Sequence, residues 1–237
     1  MTVADLKVKL FVDGADLAAM IGFAANPLIK GFTTNPTLMR NAAVGDYEAF
    51  AKSVLERITD LPISFEVFAD DADGMDRQAR LIAGWGDNVY VKVPVTNTAG
   101  EATTETVRRL AADGVKVNVT AVLLPEQVRE VSAALAGGAP AFISVFAGRI
   151  ADTGRDPLPV ICESLAIMAR YPSQELIWAS PRELLNVVQA DDVGCHVITV
   201  TAELMRKLEL LGRDLAEYSL ATVRMFHDDA AAAGYDL

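Results

Sequence analysis

Hydrophobic and polar positions along the chain change period repeatedly and in a regular order. Short β-branched or apolar runs alternate with longer segments whose apolar residues recur at helical spacing. The runs that predict strands cover residues 8–13, 30–34, 62–67, 88–94, 115–120, 141–146, 175–179 and 196–200. Helical spacing occupies residues near 15–23, 46–59, 72–84, 100–113, 125–136, 157–170, 182–189 and 202–211, and a last helical stretch covers about 213–233. This succession predicts the α/β class and a single-domain (β/α)8 TIM barrel with an additional C-terminal helix. The barrel is expected over residues 1–212 and the helical extension over 213–237, packed on its own barrel or on a neighbouring subunit. An open doubly wound sheet is the competing architecture. It usually carries a glycine-rich phosphate loop after its first strand, and neither G-x-G-x-x-G nor G-x4-G-K-S/T occurs here.

Parallel strands covered on both faces normally read as apolar throughout, and several of these do not. In "VYVKVPVT", Val89, Val91, Val93 and Val95 share one face while Tyr90, Lys92 and Thr96 share the other. Val115, Val117 and Val119 alternate with Lys116, Asn118 and Thr120, and Ile63, Phe65 and Val67 with Ser64, Glu66 and Phe68. Side chains alternate across a strand, so in a barrel the valine faces meet the helices and the polar faces meet in the lumen. The same parity sends Asp13 and Ser144 inward, and Thr33 and Asn35 close the second strand. Burying so many polar groups is costly unless they satisfy one another or serve a function. They also lie toward strand C-termini, where barrel enzymes place catalytic groups.

Lys92 is the residue that most needs a reason. A lysine of ordinary pKa is neutral in about one molecule in 2500 at pH 7, and desolvation inside a barrel raises that fraction. A neutral amine beside a pocket attacks carbonyl carbon and forms a Schiff base. A lysine ion-paired with Glu66 or Asp13 as a barrel plug explains the same pattern. Asp13, Glu66 and Thr120 could position a water that shuttles protons, or could form a structural hydrogen-bonded network. Arg149 and Arg182 follow the sixth and seventh strands, with Ser144 and Ser180 before them; together they make a phosphate clamp, and singly each reads as a surface ion pair.

Other motifs carry less. "ADDADGMDRQAR" has Ala69 and Arg80 where a calcium loop needs carboxylates, and an N-capped helix start fits it better. His196 reads as a core or barrel-end residue, and Cys162 and Cys195 as small hydrophobes. No metal cluster, nucleotide motif or cofactor site is expected.

Composition adds exclusions. The chain has 237 residues, 51% hydrophobic and 22% charged, with a formal net charge of −11. That charge argues against nucleic-acid partners and against an anionic membrane. No apolar run approaches the roughly 18–20 residues that span a bilayer. With two cysteines in all and no leader-like N-terminus, the expected setting is cytoplasmic.

The segments "KGFTTNPTL", "YVKVPVT", "VKVNVTAVLLPEQ", "FISVFAGRI" and "IWASPRE" resemble the transaldolase family in order, spacing and strand placement. The resemblance covers nearly the whole chain and is closest to the small transaldolases, a subfamily that also contains fructose-6-phosphate aldolases. It implies a Schiff-base mechanism without metal or cofactor, in which Lys92 is the nucleophile and Asp13, Glu66 and Thr120 are the acid–base group and its water partners. It further implies that Thr33, Asn35 and Asn118 hold the donor's hydroxyls and the covalent intermediate, and that Ser144, Arg149, Ser180 and Arg182 contact sugar and phosphate. The implied partners are sugar phosphates and further copies of the chain in a homo-oligomer. The subfamily's aldolases have glutamine and tyrosine where this chain has Glu66 and Phe146, so the resemblance favours group transfer over simple aldol cleavage. Pro181, between Ser180 and Arg182, departs from the family and is expected to re-aim the phosphate loop. The loop "TNTAG" also reads as one residue longer than usual. Given the acidic chain, a phosphate pocket requires Lys92, Arg149 and Arg182 to make it locally positive.

Overall fold

The structure, a computed structural model, describes residues 2–235; Met1 and the last two residues of the expected 213–237 extension lie outside them. Eight parallel strands close into a barrel in sequence order. They are β1 (Lys9–Asp13), β2 (Ile29–Thr33), β3 (Ile63–Glu66), β4 (Val89–Pro94), β5 (Val117–Val122), β6 (Ala141–Val145), β7 (Gln174–Trp178) and β8 (Val197–Val200). The fold is a single-domain (β/α)8 TIM barrel with a C-terminal helix.

Local chemistry explains where the helices start. The Asp16 carboxylate accepts from the Ala19 amide at 2.7 Å and caps α1 (Leu17–Ala24). Asn35 caps α2 (Pro36–Asn41), whose proline at the first helical position gives up no hydrogen bond. Asp46 caps α3 (Tyr47–Leu55), and Asp71 caps α4 (Ala72–Ala83) by accepting from Gly74 N–H at 2.8 Å. That last contact is the helix start expected in place of a calcium loop. The helices α5 (Thr104–Ala112), α6 (Pro125–Ala134), α7 (Ala147–Ala151), α8 (Leu158–Met168), α9 (Leu185–Asp192) and α10 (Ala202–Lys207) complete the outer layer. The last helix, α11 (Leu215–Ala233), has no buried residue, and Leu215, Val223 and Phe226 are exposed. Among the described residues, no helix is long and apolar enough to cross a membrane.

The alternation within strands sorts the interior into two compartments. Val89, Val91, Val93, Val117 and Val119 face the helices and are buried in the main core. Phe11, Phe142, Ile177 and Val197, with Tyr90, pack separately inside the barrel and fill the N-terminal end of the lumen. Phe11 and Phe142 meet edge to face, their centroids 5.4 Å apart.

Several departures from the sequence expectations concern the elements themselves. α2 and α7 were not expected, because helices of six and five residues are too short for a periodic signal. β5 runs to Val122 rather than ending at Thr120. There the β5–β6 register shifts and Ala121 takes a φ of 61°, the geometry of a bulge. Phe68 does not share the lumen with Ser64 and Glu66; β3 ends at Glu66, and the Phe68 side chain is exposed against Tyr47.

Candidate active site

The C-terminal end of the lumen is a cavity of about 350 Å³, lined among others by Asp13, Thr33, Asn35, Glu66, Lys92, Thr120, Ser144, Phe146, Arg149 and Ser180. Strand register assembles it. Glu66 pairs with Lys92, Lys92 with Asn118, and Asp13 with Thr33, so inward residues of neighbouring strands stand at matching heights.

Lys92 is 5% exposed. Its Nζ donates to the backbone carbonyl of Thr34 at 2.8 Å and lies 3.4 Å from Glu66 Oε2. Across the lumen, Asp13 Oδ1 accepts from the Thr33 hydroxyl at 2.8 Å. Burial pushes the Asp13 carboxyl above the usual carboxylate range, against the opposing pull of the Lys92 charge and the Thr33 hydrogen bond. Thr120 Oγ1 is buried and has no hydrogen-bond partner among the described residues. Lys92, Glu66, Asp13 and the Thr120 hydroxyl therefore border one cavity: an amine, two carboxyls and a free hydroxyl.

A polar layer lies beneath. Asn118 is fully buried; its amide donates to Ser64 Oγ at 3.0 Å, and its Oδ1 accepts from Ser144 Oγ at 2.7 Å. Asn118 is therefore not on the cavity wall, contrary to its expected contact with the intermediate. Its neighbours satisfy it, and it holds Ser144, which does reach the cavity. Asn35 lines the cavity too, although its side-chain oxygen accepts from Leu38 N–H as the cap of α2.

The clamp expected from Arg149 and Arg182 is divided. Arg149, exposed on α7, stands on the cavity wall. Arg182 turns away and makes a two-point ion pair with Asp152, its Nε lying 2.9 Å from Oδ1. This pairing holds the Asp152 carboxyl below the usual range. The pocket of three cations thus becomes Lys92 and Arg149 facing Asp13 and Glu66, with the positive charge nearest the mouth supplied by Arg149. The loop that carries Arg182 is strained at Ser180, the residue before Pro181. Ser180 has a φ of 57°, and its carbonyl lies so close to α7 that a Cβ on Gly148 would stand 1.5 Å from that oxygen.

Thr199 also lines the cavity, as parity along "HVITV" would have indicated. The start of α2 contributes Thr37 and Leu38, signalled by the Asn35–Pro36 pair. Tyr47 and Asp152 had no local signal, because both act across the fold.

Fold and site together define a barrel protein with a buried lysine among carboxyls at the C-terminal ends of its strands. A sequence model of the family described as Transaldolase/Fructose-6-phosphate aldolase matches residues 10–237. A protein of Methanococcus maripaludis named "Probable transaldolase" is 33% identical over 202 residues, covering 85% of this chain and 89% of its own length. Another of that name from Rhodospirillum centenum is 38% identical over 206 residues, covering 85% and 84%. The chain belongs to the transaldolase/fructose-6-phosphate aldolase family. Among solved structures, one from Burkholderia cenocepacia, described as a "putative phosphonomutase", aligns at a TM-score of 0.57 over 92% of this chain and 93% of its own, with 14% identity, a likeness of fold alone.

Proposed function

We propose that the protein is a transaldolase that carries a dihydroxyacetone unit on Lys92, taking it from a ketose phosphate such as fructose 6-phosphate or sedoheptulose 7-phosphate and passing it to an aldose phosphate. The observation that carries this reading is the Lys92 amine, buried at the foot of an open cavity and held between a carbonyl and a carboxylate rather than sealed in a plug. In this reading the amine adds to the donor carbonyl, and the carbinolamine loses water to give an iminium. A carboxylate removes the proton from the C4 hydroxyl, and the C3–C4 bond breaks, releasing C4 onward as an aldose phosphate and leaving the three-carbon unit as an enamine on Lys92. The enamine attacks the acceptor aldehyde, and hydrolysis releases product and restores the amine. Asp13, Glu66 and Thr120 serve as the proton-handling group. Thr33, Asn35 and Ser144 meet sugar hydroxyls, while Arg149 with Ser180 meets phosphate.

Reduction with borohydride in the presence of fructose 6-phosphate should add a three-carbon fragment to Lys92, read by peptide mass. No added mass with any ketose phosphate would overturn the assignment.

The second reading is a dihydroxyacetone aldolase, since the family includes both activities. Glu66 and Phe146 favour transfer. An aldolase would release dihydroxyacetone without an acceptor, and Glu66→Gln with Phe146→Tyr should move the protein that way. The turned-away Arg182 also supports a different phosphosugar as acceptor. A homo-oligomer is part of the proposal, supported by the exposed Leu215, Val223 and Phe226 of α11; light scattering that reports a monomer would remove it. A cytoplasmic setting belongs to the same reading, supported by Cys162 and Cys195 both being free thiols.

A further inference from the structure

Tyr47 stands outside the cavity, at the start of α3 and behind the end of β3. Its ring packs with Phe65, Phe68 and Trp85, at centroid distances of 6.1, 4.7 and 5.6 Å. Its hydroxyl is tied to one residue twice: it accepts from Glu66 N–H at 2.7 Å and donates to Glu66 C=O at 3.1 Å.

Those two backbone groups are the ones a longer β2–β3 ladder would have used. Phe32 N–H donates to Pro62 C=O at 2.8 Å, and Thr34 N–H to Ser64 C=O at 3.1 Å. Continued at this spacing, a parallel ladder sends Glu66 N–H to Thr34 C=O and the amide of residue 36 to Glu66 C=O. Pro36 has no amide hydrogen to give. The phenol takes both orphaned groups, and the Thr34 carbonyl is left without its ladder donor. Lys92 Nζ occupies that carbonyl, at 2.8 Å. The Thr34 side chain anchors the same point by donating to Ser64 C=O at 2.9 Å.

We propose that Tyr47 is a positioning residue for Lys92: by taking the Glu66 amide out of the β-ladder, its phenol reserves the Thr34 carbonyl for the lysine amine. The proposal rests on the reading of Lys92 as nucleophile. The Thr34 carbonyl engages the amine at 2.8 Å, beside the Glu66 carboxylate at 3.4 Å, and so anchors it at the cavity wall. Without the phenol, Glu66 N–H either stays buried and unpaired or closes on Thr34 C=O and displaces the amine. Burial pushes the Tyr47 hydroxyl above its ordinary range, so it keeps the proton it donates at any working pH.

The test is Tyr47→Phe in the full chain, which keeps the ring and removes only the hydroxyl. The rate of cyanoborohydride trapping of Lys92 at saturating fructose 6-phosphate should fall about tenfold to hundredfold, with kcat falling in step and KM changing far less. Trp85→Phe is the packing control; it should lower Tm while trapping proceeds at the parent rate. All rates are taken below each variant's Tm. Parent-rate trapping by Tyr47→Phe overturns the proposal, and so does an equal loss in Trp85→Phe, which would make the effect one of packing. Failure of the parent protein to trap any ketose overturns the Lys92 reading instead, so the two failures are distinguishable.

Discussion

The two ends of the barrel lumen are lined by the same strands and obey opposite rules. At the N-terminal end Phe11, Tyr90, Phe142, Ile177 and Val197 close the space with apolar packing. At the C-terminal end Asp13, Glu66, Lys92 and Thr120 border an open cavity. Tyr90 and Lys92 are two positions apart on one strand face, so a rise of about 7 Å separates an apolar plug from a cavity lined by charged groups. The plug stabilises by removing apolar surface from water. The cavity gives up such stabilisation, because its charged groups are desolvated and incompletely paired.

Mutations should separate the two ends. The largest effect is expected for Lys92→Met, which removes the proposed nucleophile: trapping and turnover should fall to background while Tm holds or rises, since a buried charge is replaced by an apolar chain of similar length. A large fall in Tm would make Lys92 a structural plug and erase the contrast. Phe142→Ala should do the reverse, costing about 3–5 kcal/mol in denaturant unfolding, with Lys92 trapping retained in the folded fraction.

Smaller effects concern the cavity mouth. Arg149→Ala should raise KM for phosphorylated substrates by about tenfold or more, whereas Arg182→Ala should change it much less, because Asp152 already engages that guanidinium. Equal losses would show that Arg182 joins the substrate after all. The smallest effect is a pH dependence. The folded Asp13 carboxyl titrates above its unfolded value of 3.8. Stability from its protonated form is therefore complete below that value and is lost as pH rises through the folded pKa. Asp13→Asn should accordingly raise Tm relative to the parent at pH 8 and do so less at pH 4. A gain independent of pH would place the strain elsewhere.

Much of this was legible in the chain. The eight strands lie within about two residues of where period-two runs ended, and inward parity identified Lys92, Glu66, Asp13 and Thr120. It succeeded because each strand must hide one face against helices, which forces valines to one side and leaves any polar residue on the other to the lumen. Parity failed where strands end or bulge. Phe68 lies beyond β3 and leaves the lumen, and Ala121 breaks the alternation of β5. The Arg182–Asp152 pairing could not be chosen over the clamp from the chain alone, for a related reason. A loop residue has no periodicity to orient it, and Asp152 lies thirty positions away.

The sequence by itself determined the barrel, the lumen faces and the presence of an amine among carboxyls, because these follow from repeated local alternation that every strand obeys. Only the tertiary structure decided which of two arginines faces the cavity, that Asn118 lies beneath it, and that Tyr47 holds the Glu66 backbone while Lys92 holds the Thr34 carbonyl. Those choices are made by single contacts between residues distant in sequence, and no local pattern encodes a single contact.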